Sequence, residues 1–285
     1  MQNPVRMHCA LFTTVLICLS ASAADKPTSV ISTDASITAL VLALGAGDKL
    51  VAVDVTSQLP ETFSNLPRVG YHRALSAEGL LSLNPDLMLV SEHAGPPEVL
   101  RTLESLGIDI QRVPAPLSPR ELAANVSRIA DLLNASAAAD EVLQQIRVAG
   151  QNLETQALQK PGMILLRENA GVLRLAGAGT AGNALISLLG GTNLADFEGY
   201  RSFSQEAVLA INPAYLLVAV SDEQLQAGEE AWLAAYPLLM HLQAVGSKQW
   251  AAIPADALVG GLSLATLQEA QVLLKRFSKV LLATP

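Results

Sequence analysis

The hydrophobic positions of this chain follow two alternating rhythms. Val30–Ser32, Leu50–Val53 and Leu87–Val90 are short, nearly continuous apolar runs, the pattern of strands covered on both faces. Between them, Ser36–Leu44 and Pro97–Leu106 space apolar residues three and four apart, which predicts helices. Gly45-Ala46-Gly47 and Gly107 stop those helices, and Ile108–Val113 supplies a further strand. This β-α-β-α order predicts a mainly parallel sheet with helices on both faces.

After Pro119 the helical rhythm lengthens. Arg120–Leu133 and Ala137–Gln159 read as helices separated by Asn134-Ala135-Ser136. A helix of that second length reaches roughly 33 Å at 1.5 Å per residue, long enough to brace one body against another. From Pro161 the strand rhythm resumes in Met163–Leu166, Val172–Leu175 and Tyr215–Val220, with helices at Asn183–Leu189, Glu229–Leu239 (interrupted at Pro237) and Leu264–Leu282.

One stretch occurs twice. Gly70-Tyr71-His72-Arg73-Ala74-Leu75-Ser76-Ala77-Glu78 is echoed by Gly199-Tyr200-Arg201-Ser202-Phe203-Ser204-Gln205-Glu206, with one residue dropped between Tyr and Ser. Downstream, Leu81/Leu209, Asn84/Asn212, Pro85/Pro213 and Val90/Val218 stay in register about 128 positions apart. That period is far longer than a solenoid unit and points to two copies of one lobe. The expected organisation is a first lobe over 27–134, a connecting helix over 136–160 and a second lobe over 161–285, with both GY loops at the mouth between the lobes.

Composition narrows the function. The 285 residues are 51% hydrophobic and 15% charged, which suits a packed globular chain. A formal charge of −8, without a basic stripe, excludes a nucleic-acid partner. At the N-terminus, Arg6, the apolar run Ala10–Leu19 and the small residues Ala21-Ser22-Ala23 match a cleaved secretory signal over 1–23, too short to span a bilayer. Cys9 and Cys18 both lie inside that leader, so the mature chain is expected to lack disulfides, thiol nucleophiles and cysteine metal sites. Ile17 is too bulky to precede a lipid-bearing Cys18, so a soluble periplasmic product is expected.

Several candidate chemistries fall away. Gly177–Gly182 has neither the lysine of a P-loop nor the acidic residue of a dinucleotide fingerprint. No Gly-x-Ser-x-Gly elbow exists, and His72, His93 and His241 share no i, i+4 helical face. A site assembled from Glu92, His93 and His72, acting as an enzyme on a small substrate, stays open. Tyr71 offers a sharper option. A phenolate is a hard anionic ligand for ferric iron and an axial ligand of haem, and Arg73 could stabilise it or hold a propionate bidentately. Glu78 and Glu206 occupy matching first turns, where they complement helix dipoles or dock a two-fold partner through arginines.

Together, Leu44-Gly45-Ala46-Gly47, Val53-Asp54, Val69-Gly70-Tyr71-x-Arg73-x-Leu75-Ser76-x-Glu78-Gly79, Asn84-Pro85, Gly179-Thr180 and Leu189–Asn193 resemble the substrate-binding proteins of bacterial haem ABC importers. These belong to the class that also carries cobalamin and ferric siderophores. The resemblance implies a class III periplasmic binding protein: two Rossmann-like lobes with parallel sheets, joined by one long rigid helix and gripping haem b in the cleft. It implies Tyr71 as iron ligand, Arg73, His72 and His93 as haem contacts, and Glu78 and Glu206 as docking points for the permease. The implied partners are an ABC permease with its ATPase and, upstream, an outer-membrane haem receptor, the carrier itself being a monomer. Where relatives carry a second-lobe arginine this chain has Ala265, and the histidine of two-haem relatives matches Asn183. One haem with one firm ligand is therefore expected, and a siderophore or cobalamin carrier of the same fold is the alternative.

Overall fold

A computed structural model describes residues 27–167 and 172–283; the expected leader lies outside them. The first lobe holds β1 (Val30–Ser32), β2 (Leu50–Val53), β3 (Leu87–Ser91) and β4 (Asp109–Val113), all parallel in the order β2-β1-β3-β4. Its helices are α1 (Ala35–Ala43), α2 (Ala77–Leu81), α3 (Pro97–Ser105) and α4 (Pro119–Leu133). β3 is buried at every position, as its unbroken apolar run requires of a strand covered on both faces.

Helix α5 (Ser136–Thr155) joins the lobes. It is separated from α4 by Asn134, which takes the left-handed conformation at φ 52° and ends the earlier helix. The connecting helix stops short of the expected 160. Leu158 and Gln159 donate their N–H groups to Leu189 and Gly190 instead, which feeds the chain into the second sheet. Ala139, Val142, Ile146 and Leu153 form the buried stripe of α5. One apolar core runs through this stripe, from Val30 and Leu89 of the first lobe to Ile164 and Phe277 of the second. A continuous core resists bending, so the lobes are mounted on a stiff spine.

The second lobe contains β5 (Pro161–Arg167), β6 (Leu173–Ala176), β7 (Thr192–Asn193), β8 (Tyr200–Phe203), β9 (Tyr215–Val220) and β10 (Trp250–Pro254). It also contains α6 (Ala181–Leu188), α7 (Gln205–Ile211) and a closing helix, Leu264–Ala283. Here the expectation of a parallel sheet needs correction. The order is β10-β9-β5-β6-β8, and β6 runs antiparallel to both β5 and β8. Only five positions separate β5 from β6, far fewer than the dozen or more a parallel crossover needs, so the pair closes as a hairpin.

The carboxyl ends of the two sheets face each other. The Ser36 hydroxyl donates to Gly260 O, and Leu262 N donates to Pro116 O at 2.7 Å. Gly260 has φ +74° and would place a side chain on the Asp34 carboxylate, so the lobes meet where only glycine fits. Glycine also sets the packing inside the second lobe. A Cβ on Gly162 would lie 2.1 Å from the Tyr215 ring. Gly162→Ala is therefore expected to cost about 1–3 kcal/mol through overpacking, measured by chemical denaturation.

Candidate functional site

The first GY loop is carried to the interlobe edge by β2. Val69 N donates to Val53 O and Val55 N to Gly70 O, so residues 68–70 run beside the exit of that strand. A tight turn follows, closed by Ala74 N donating to Tyr71 O at 2.8 Å. The loop is then tied to the one after β3, because Gly95 N donates to His72 O and Leu75 N to Gly95 O. Tyr71, Arg73, Glu92 and His93 thus share one edge.

Tyr71 is 46% exposed. Arg73 is exposed too, and its guanidinium has no ion-pair or hydrogen-bond partner among the described residues. A phenol with a free cation two positions on can bind an anion or a ferric centre without breaking an internal contact. His93 and Glu92 are adjacent and half exposed, with Nε2 and Oε1 3.7 Å apart, too far for a hydrogen bond. Among the described residues no hydrogen bond orients that pair as a catalytic dyad, and no cluster of His, Cys, Asp or Glu suits a metal ion.

His72 differs from expectation. It is 5% exposed, with Nδ1 3.3 Å from Asp54 Oδ2. Burial of this kind removes it from direct contact with a cleft-bound cargo. Its ring instead lies against Tyr71, 4.3 Å between centroids at 46°. Asp54 also accepts from the hydroxyls of Thr56 and Ser57 at 2.7 Å each. Burial pushes the Asp54 carboxyl up, but the bonds from His72, Thr56 and Ser57 outweigh it and hold the group below the usual carboxylate range. Nearby Asp34 is raised by burial despite two bonds from Ser36. Sequence reasoning gave neither aspartate a role; their position directly beyond buried strands is the signal that could have found them.

The second GY loop is not a second copy of the site. Tyr200 pairs with Ala176 at the start of β8, whereas Phe203 pairs with Leu173 beside the carboxyl end of β5. Tyr200 therefore sits at the far end of the sheet. Burial raises the pKa of its phenol, partly offset by Thr180, Arg174 and Gly182 nearby, and the Arg174 guanidinium lies 5.5 Å from its ring centroid. The repeat holds only from the serines onward, where α2–β3 matches α7–β9 and both Asn84 and Asn212 are left-handed before proline. Asn183, too, is committed, accepting from Asn193.

Opposite the first lobe's edge, the second lobe is acidic. Asp222, Asp256 and Glu269 line an interlobe cavity of about 270 Å³ with Ala265 and, from the first lobe, Ser36 and Gln58. Burial raises the Glu269 carboxyl, partly offset by Arg276. A larger groove of about 780 Å³ lies along α5 between α4 and α6, and contains none of the residues singled out from the sequence. Tyr71, Arg73, Glu92 and His93 stand at the other edge instead. Glu78 and Glu206 are exposed in the first turns of α2 and α7. The Glu206 carboxylate is held below its usual range by its own backbone N–H and by Ser204.

Known proteins share this architecture. The family profile described as periplasmic binding protein matches residues 30–257. A vitamin B12-binding protein of Yersinia pestis (strain Pestoides F) is 29% identical over 233 residues, 81% of this chain and 82% of that one. Among solved structures, the periplasmic haem-binding protein HutB of Vibrio cholerae superposes with a TM-score of 0.79 at 34% identity, covering 87% of this chain and 98% of its own. The periplasmic vitamin B12-binding protein BtuF of Vibrio cholerae gives 0.74 at 26%, covering 90% and 98%. With two lobes on one spanning helix and their strand ends opposed across a cleft, this chain belongs to the periplasmic binding protein family, the substrate-binding components that deliver cargo to ABC permeases.

Proposed function

We propose that this protein captures ferric haem b between its lobes and hands it to an inner-membrane ABC permease driven by its ATPase. The observation that carries the reading is Tyr71, an exposed phenol at the interlobe edge, with Arg73 two residues on, exposed and unpaired among the described residues. The phenolate oxygen grips oxidised iron and Arg73 takes a propionate. Burial of the porphyrin faces adds about 25 cal/mol per Å² of apolar area. Ala265 offers the second propionate nothing, and the carboxylates around it repel anions. The propionates therefore point toward Arg73 and solvent, away from the second-lobe wall.

A cobalamin carrier is the competing reading, supported by the likeness to the vitamin B12-binding proteins. Against it, both tryptophans, Trp232 and Trp250, are buried in the second lobe's core and offer no face to a large ring system. Parallel titrations with hemin and cyanocobalamin decide between them. The expected result is a shifted Soret band saturating near one equivalent, unaffected by excess cyanocobalamin. Displacement of hemin by cyanocobalamin, or calorimetric binding of cyanocobalamin alone, would favour the competing reading.

A further inference from the structure

A tyrosine that ligates iron must present its oxygen within about half an ångström of the productive position. Tyr71 stands on a short loop and is nearly half exposed, so its own burial does not fix it. The ring contact that does restrain it is with His72, the next residue, at 4.3 Å. Neighbouring side chains on an extended segment point apart; the turn closed between Ala74 N and Tyr71 O brings these two rings together.

His72 is itself anchored. Its imidazole faces Asp54 at 3.3 Å, and its carbonyl accepts from Gly95 N. Asp54 follows directly on β2 and is fully buried; its carboxylate is fixed by Thr56 and Ser57, and Arg68 donates to the carbonyl oxygens of Asp54 and Ser57. The chain of contacts therefore runs from the end of a core strand, through a carboxylate and an imidazole, to the exposed phenol. Each link is buried except the last.

We infer that His72, held by Asp54, is the positioning residue that mounts the Tyr71 phenol at the cleft before cargo arrives. The inference rests on the reading of Tyr71 as iron ligand, and it gives the buried histidine a part in that site without contact with haem. The metal grip is then set by the sheet rather than ordered by the ligand, so less conformational entropy is lost on binding.

The experiment uses the full mature chain with His72→Ala, His72→Gln and Asp54→Asn. In the haem-free protein, ring-labelled tyrosine NMR, assigned with Tyr71→Phe, reports whether Tyr71 lies against His72. The expected result is loss of the ring-current shift and narrowing of the Tyr71 resonance in His72→Ala and His72→Gln, with a smaller change in Asp54→Asn. In hemin titrations His72→Ala is expected to bind about tenfold more weakly, about 1.4 kcal/mol, with a broadened phenolate-to-iron charge-transfer band. His72→Gln keeps a donor for Asp54 and guards against a folding defect. A Tyr71 ring as immobile as in wild type by line width, or hemin affinity within twofold of wild type, in His72→Gln would overturn the positioning role. Failure of wild-type protein to bind hemin would overturn the haem reading alone, because the NMR comparison needs no haem.

Discussion

Tyr71→Phe is expected to lower hemin affinity at least about a hundredfold and to erase the phenolate-to-iron charge-transfer band. The substitution removes one oxygen and keeps the ring that packs on His72, so the loop stays in place. Changes to outer-shell partners of a metal typically cost 10–100-fold, and loss of the ligand itself should exceed that range. The porphyrin faces remain buried in the variant, which is why weak binding should persist rather than vanish. Arg73→Ala should cost about tenfold and leave the band intact, since the lost contact is with a propionate. Tyr200→Phe is the control: its ring is half-buried beside Arg174 and opposite Ala176, at the other end of β8 from Phe203, so hemin binding should not change. Equal affinities for wild type and Tyr71→Phe would remove the basis of the haem assignment.

The contrast between the two tyrosines also shows where sequence pattern carries information and where it does not. Uniform apolar runs located β1, β2 and β9 to the residue, because a strand covered on both faces leaves no choice of composition. The repeat correctly paired α2–β3 with α7–β9, including the asparagines before proline, both left-handed: Asn212 caps α7, and Asn84 follows two residues after the cap of α2. It failed at the tyrosines. The single deletion before Ser204 converts a turn into the straight strand β8 and moves Tyr200 away from the cleft. β8 is short and partly exposed and shows no apolar run, whereas β10 carries one, Trp250–Ile253, cut short by Pro254 and not singled out from the sequence. The direction of β6 was hidden as well, since periodicity does not distinguish parallel from antiparallel pairing.

The candidate site was legible only where its residues are neighbours in the sequence. Tyr71 and Arg73 stand close together in the sequence, but the partner of His72 is 18 positions away and the acidic wall comes from three separate segments. A histidine flanking an exposed tyrosine reads as a second ligand until its burial is seen. Long-range carboxylates become visible only when the sheet brings their strand ends together.

Combined charge reversal at Glu78 and Glu206 should abolish delivery while leaving haem capture intact. Both carboxylates are exposed in the first turns of matching helices, one in each lobe. A permease reading the two lobes at once would meet one acidic point from each, and exposed charges of this kind govern encounter and register more than intrinsic affinity. Each single variant, Glu78→Arg or Glu206→Arg, should reduce cargo-dependent stimulation of the transporter's ATPase about tenfold. The double variant should lose about a hundredfold, because sites that share no partner add. Raising ionic strength should weaken the wild-type response and narrow the gap between the variants, as expected for screened surface charges. Neither carboxylate lines the acidic cavity that holds Ala265, so hemin titrations of all three variants should match wild type. A fall in hemin affinity would place the glutamates in cargo binding, and undiminished ATPase stimulation by the double variant would remove them from docking.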